Sequence, residues 1–218
     1  MPAAMTDVQR ATTYTSASVK ITYSDASTKT QALTYNTLFK TGDVLKNGSV
    51  SVIAGAFYDI NGNPINRTVL MGDDGANTGL FMFIADKEKD LSTPDGVGNS
   101  AHVDKISNVD NIKFSEELRT LFIGEDSGQH VNNFLWAYNV DSKNLSRILS
   151  VPAGGEATGL EMVDSLNGFS DILSNFQHTG DWGSIHNVIK AGVEPLINAN
   201  WNNRNSAAVG CLSGLPTL

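Results

Sequence analysis

Between Ser18 and Phe39 apolar and polar positions alternate in two runs. Val19, Ile21 and Tyr23 share one face, a polar Ser24-Asp25-Ala26-Ser27 break follows, and Ala32, Leu33 and Tyr35 resume. Alternation around such a break predicts a β-hairpin. A second hairpin is predicted where SVSVIAGAFYDI meets NGNPINRTVL, because Asn61-Gly62 favours a tight turn and Pro64 helps end pairing. Residues Ser92 to Ser107 are rich in Gly, Ser, Pro and Asp and read as a long loop or a junction. Leu145 to Val151 predicts a short strand, closed by Pro152-Ala153-Gly154-Gly155. The period then changes: Ile185, Val188, Ile189, Val193, Leu196 and Ile197 recur at helical spacing from a start near Gly183-Ser184. Pro195 predicts a break or early stop near Gly192. Asn198 to Asn205 reads as a polar loop around Trp201, and Ala207 to Leu212 as a final strand.

One stretch of text occurs twice. RTVLMGDDGANTGLFMFIADKEKDLS from Arg67 returns as RTLFIGEDSGQHVNNFLWAYNVDSKNLS from Arg119, 52 residues later. Each copy runs an apolar strand into a Gly-acid-Asp loop, Gly72-Asp73-Asp74 and then Gly124-Glu125-Asp126, and on into a second apolar and aromatic strand. A weaker echo lies at 167–182, where Ile172-Leu173 leads to His178-Thr179-Gly180-Asp181. Short strands repeating at this period predict an all-β, propeller-like domain of antiparallel blades with a short C-terminal helix. Residues 1–218 read as one such domain, incomplete at a junction within 92–104: a six-bladed ring at this period needs about 300 residues. Phe134, Trp136 and Tyr138 alternate with Leu135 and Ala137, which predicts packing between sheets rather than a base-stacking surface.

Charge narrows the partners. The 218 residues carry 23 acidic against 15 basic side chains, a formal charge of −8. That balance argues against nucleic acid and anionic membranes, and towards cations. No apolar run approaches the roughly 20 residues of a membrane-spanning helix, so membrane insertion is not expected. Cys211 is the only cysteine, which rules out an internal disulfide or a thiolate zinc cluster. The N-terminal residues are polar, with no signal-peptide pattern in this chain.

DNIKF at Asp110, RTLFIGEDSG at Arg119, NNFLWAYNVDSKNLSRI at Asn132, GGEATG at Gly154 and NGFSDILSNFQHTGDW at Asn167 occur in that order. Together they resemble the PhoX-type alkaline phosphatases, bacterial β-propeller enzymes that use calcium and iron and are usually exported. The likeness is continuous from Lys105 to about Trp182 and weaker from Val69 to Ile84 and from Asn200 to Pro216. It implies hydrolysis of small phosphate monoesters, divalent-cation ligands and a periplasmic or secreted location. Two departures stand out. The family's upstream segment joining a metal-binding cysteine to acidic residues has no counterpart, and the arginine expected two positions before the GEATG glutamate is Gly154.

Hard cations need six to eight oxygen ligands, so carboxylates must converge from several strand ends. Glu156 is the leading candidate, since GGEATG frees the backbone around one acid and the resemblance makes that position a ligand. Glu125 and Asp126 read equally as ligands or as a loop in which Asp caps local N–H groups; Asp73-Asp74 reads as a turn. Asp110 and Asn111 also resemble lactonase-type propeller text, where Asp or Asn lines the central channel, with a self-bonded turn as the alternative. His178 is a candidate for metal or phosphoryl contact, and His130 has an equal or lesser claim. Arg119 and Arg147 read as surface strand arginines. No nucleophile elbow, zinc-protease helix or Walker loop occurs.

These readings predict a metal-dependent phosphomonoesterase using calcium and, by resemblance, iron. A non-catalytic calcium-binding scaffold and a lactonase-type hydrolase are the rivals. Open blade edges would favour self-association.

Overall fold

The computed structural model describes residues 4–47, 50–54, 56–58, 64–68 and 93–216. The Asn61-Gly62 turn and most of the first repeat copy, including Asp73 and Asp74, lie outside them. The described chain is mainly β, in antiparallel sheets.

Two four-stranded sheets form the body. The first is an up-and-down meander of four successive strands, β8 (Val109–Ser115), β9 (Thr120–Glu125), β10 (Phe134–Asn139) and β11 (Leu145–Ser150). The second joins β12 (Glu156–Leu166), β13 (Phe169–Gln177) and β14 (Ala208–Pro216) in sequence and is completed by β3 (Thr34–Lys40) from the N-terminal part of the chain. Among the described residues neither sheet closes on itself. The predicted final strand is therefore internal, with β14 pairing both β13 and β3.

The smaller elements are hairpins. β1 (Ser18–Thr22) pairs β2 (Thr28–Ala32) around the predicted break, β4 (Val44–Asn47) pairs β5 (Val50–Ile53), and β6 (Ala56–Tyr58) pairs β7 (Pro64–Thr68). The second alternating run does not continue as one strand: it splits at Leu33, and Tyr35 belongs to β3. A one-turn helix α1 (Asp7–Arg10) opens the described chain, held by a capping box between Thr6 and Gln9.

The two large sheets pack across one core. Phe122, Leu135, Ile148 and Leu149 from the first meet Met162, Ile172, Leu212 and Leu215 from the second, with Leu33 beside them. The opposite face of the first sheet buries Ile123, Phe134 and Trp136 with Ile106 and Val109. β10 therefore shows an unbroken apolar run because both its faces are covered.

Edge strands β8 and β12 run side by side, laced by alternate residues of β8. The Gly159 N–H donates to Asn111 Oδ1, Lys113 forms an ion pair with Glu161, and Ser115 Oγ donates to Asp164 Oδ1 at 2.6 Å. The alternation follows from the strand itself, in which every second side chain points the same way. Gly124 permits the approach, since a Cβ there would collide with the Ala157 carbonyl.

The helical reading needs two corrections. A 3-10 segment at Ser184–Val188 leads into α2 (Lys190–Trp201), which continues through Pro195 rather than stopping near Gly192. Trp201, expected in a polar loop, is the last helical residue. An interior proline costs about 3 kcal/mol. Val193, Ile197 and Trp201 lie on one face and are buried against Phe176, Ala157 and Val151, worth roughly 1.5–3 kcal/mol for each large apolar side chain. Tertiary burial outweighs the local penalty. Trp201 also donates its indole N–H to the Ala11 carbonyl at 2.9 Å and meets Phe176 edge-on at 4.8 Å.

Candidate functional site

At one end of the two sheets the strand termini surround a cleft of about 360 Å³. Its walls are the loop after β9 (Asp126–Gly128), the start of β12 (Glu156), and the turn and 3-10 segment that follow β13 (Asp181–His186). Asn133 braces the rim: its Oδ1 accepts from Ser127 N–H at 3.0 Å and its Nδ2 donates to the Gly155 carbonyl at 2.9 Å. Loops from both sheets are thereby held in register.

Two predicted ligands meet here, Asp126 from the first sheet and Glu156 from the second. They do not occupy equivalent positions, since Asp126 follows a strand and Glu156 begins one. Glu156 Oε2 accepts from the buried Gln177 Nε2 at 2.6 Å, and its Oε1 lies 3.9 Å from His178 Nε2. His178 sits at φ 60° in a turn closed by Asp181 N–H donating to the His178 carbonyl at 2.9 Å. It stands beside Glu156, not among the cleft-lining residues.

Glu125 has a different place. β9 continues through Gly124 and Glu125, so the Gly-Glu-Asp text is not wholly a loop. The Glu125 carboxylate is completely buried and accepts from Ser107 N–H at 2.8 Å, Phe134 N–H at 3.1 Å and His130 Nδ1 at 2.9 Å. It braces the base of the loops and does not line the cleft. Asp110 and Asn111 are also outside it: Asn111 Nδ2 donates to Asp110 Oδ2 at 2.6 Å while its Oδ1 takes the Gly159 N–H. Arg119 makes a two-pronged pair with Asp141, and Arg147 pairs Asp104 and lies over the Phe134 ring.

Asp181, Trp182 and His186 line the cleft without having been singled out in the sequence. Asp181 ends the weaker echo of the repeat, which was its only signal. His186 had none. Its Nδ1 accepts from Gly183 N–H at 3.0 Å and its Nε2 donates to the Val131 carbonyl at 3.2 Å. Burial holds its pKa below the usual histidine range, against the opposing effects of those backbone bonds and of Asp181. Trp182 donates its indole N–H to Glu194 at 2.7 Å and packs edge-on to His186.

The cleft therefore presents three carboxylates, and its described lining holds no lysine or arginine. Such a surface attracts cations. Among the described residues, however, no three His, Cys, Asp or Glu side chains are grouped closely enough to hold a metal ion. No helix among the described residues is long and apolar enough to cross a membrane. No family model, curated protein or solved structure matches the chain.

Proposed function

We propose that this chain is a PhoX-like, metal-dependent phosphomonoesterase built from propeller blades, with its cation taken at the acidic cleft. One observation carries the reading: Glu156, implied as a ligand by the resemblance, and Asp126, a candidate from the repeated Gly-acid-Asp loop, come from different sheets and line one cleft with Asp181. Two successive four-stranded antiparallel sheets, with edge strands β8 and β12 side by side, support the blade interpretation. The exposed Ile112 and Phe114 on β8 support self-association through open edges. The periplasmic or secreted location rests on the resemblance alone.

Carboxylate oxygens suit calcium; three carboxylates carry six of them, of which Glu156 Oε2 already accepts from Gln177, so fewer remain than the six to eight donors that calcium takes. Asp126, Glu156 and Asp181 line the cleft but as they stand are not grouped closely enough to hold an ion together; an ion drawn there would supply charge neutralisation for a phosphoryl oxygen. Without it the cleft repels a phosphate ester. Iron fits less well: both His186 nitrogens are committed to backbone partners, and Cys211 lies on β14, outside the lining.

A second reading, a cation-binding scaffold without turnover, is favoured by Gly154 standing where the resemblance implies a phosphate-clamping arginine. Calorimetric titration with calcium, alongside p-nitrophenyl phosphate hydrolysis with calcium alone and with added iron, separates the two. Binding and turnover that both fall in Glu156→Gln support the phosphatase. Binding without turnover leaves the scaffold. No calcium binding by the folded chain defeats both.

A further inference from the structure

A second cavity, of about 290 Å³, lies between the β1–β2 hairpin and the two large sheets. It sits at the end opposite the acidic cleft: it touches Thr120 at the start of β9 and Asn139 at the end of β10, whereas Asp126 and Asn133, at the other ends of those strands, line the cleft. We infer that this cavity binds a small, uncharged, predominantly hydrocarbon molecule, with the hairpin as its cover.

Its floor is the buried core between the sheets, where Phe122, Ile148, Ile172 and Leu215 reach it; Val19 and Ile21 form the roof. Two polar groups of the lining, Thr120 and Asn139, already have partners. Thr120 Oγ1 donates to the Leu118 carbonyl at 2.8 Å, and Asn139 Oδ1 accepts from the Asp141 and Ser142 N–H groups at 3.2 and 2.9 Å. Lys20 and Glu117, the charged residues of the lining, have opposite signs. Nothing there selects an anion or a cation. Apolar cavities of roughly 150 Å³ stay dry and take benzene. About twice that volume suits a fused aromatic pair or a medium-length alkyl chain.

The cover is built to yield. Among the described residues β1 and β2 pair only with each other, and an isolated two-stranded hairpin is marginally stable in water. Ile21, on the roof, and Leu33, just after β2, are buried and hold it down. A hydrocarbon ligand would add contacts to that roof and pin the hairpin in place.

The experiment is a fluorescence titration of the full chain with N-phenyl-1-naphthylamine, followed by displacement with decan-1-ol. Saturable binding, displaced by the alcohol, is expected. Ala137→Phe fills the cavity from the sheet side and Val19→Phe from the roof, and each should weaken binding at least about tenfold. A non-saturating response, or undiminished binding in either variant with a native melting curve, overturns the proposal. If both variants fail to fold, the parent's melting temperature decides: a rise with decan-1-ol supports the site, and no rise overturns it.

Discussion

His130 Nδ1 lies 2.9 Å from Glu125 Oε1, and neither side chain is exposed to solvent. The other ring nitrogen faces the His102 carbonyl at 3.3 Å. Both nitrogens thus meet oxygen acceptors, an arrangement that imidazolium satisfies and neutral imidazole does not. Burial works to lower the His130 pKa, but Glu125 and the backbone acceptors outweigh it and the net shift is upward.

That shift has a definite pH signature. Because the folded pKa exceeds the unfolded one, the pair's contribution is complete below about 6.5 and is lost as pH rises through the elevated folded value. Urea unfolding across this range should show stability falling on the alkaline side, with the fall removed in His130→Gln. A parent protein equally stable across the window would count against a charged pair.

Removing one partner of a buried pair costs about 3–5 kcal/mol. Glu125→Ala should fall in that range, because it also strands the Ser107 and Phe134 N–H groups. Glu125→Gln should lose less, since an amide oxygen still accepts one of them. Denaturant midpoints of the two variants make the comparison.

Gly124→Ala should destabilise the junction of the two sheets. The added methyl meets the Ala157 backbone carbonyl, which cannot move aside as a flexible side chain can. Overpacking of this kind costs about 1–3 kcal/mol. A thermal melt equal to that of the parent would show that β12 is not held against β9 as described.

Pro195→Ala should stabilise the protein. The substitution restores an N–H inside α2, where proline costs about 3 kcal/mol, partly offset by proline's restriction of the unfolded chain, about 1 kcal/mol or less. Trp201→Ala, on the buried face of the same helix, should cost about 3–5 kcal/mol. Opposite signs in one helix, read from urea midpoints, test whether tertiary burial holds it.

Within the acidic cleft, Asp126→Asn and Asp181→Asn should each weaken calcium binding by protein that a melt shows to be folded. Calorimetry and a melt on the same samples suffice. Equal binding in both variants would place any cation elsewhere.

Strand periodicity was readable because it is local. Val19 and Ile21 announce β1, the polar break announces its turn, and Leu145 to Val151 marks β11. The Phe134–Trp136 stripe is core, but it packs with Ile106 and Val109 on the far face of its sheet, and Leu135 is the residue that packs between the sheets. Misreadings arose where distant partners override local preference. Pro195 signals a stop, yet α2 continues because Val193, Ile197 and Trp201 find a buried surface contributed by Ala11, Val151 and Phe176. Gly124-Glu125 resembles a loop, yet the carboxylate is drawn inward by the Ser107 and Phe134 N–H groups and by His130.

The amino-acid order alone settled the all-β character, several strand positions, the acidic balance and the repeated text. Strand positions depend on neighbours two to four residues apart, the acidic balance on composition, and the repeated text on comparing two segments 52 residues apart in the same chain. Which carboxylates share a cleft was decided only in three dimensions. Glu125 and Asp126 are adjacent in the chain, but β9's alternation and its buried partners send one into the core and leave the other at the rim. There Asp126 meets Glu156 and Asp181, because the strand ends that carry them come together only once the two sheets pack.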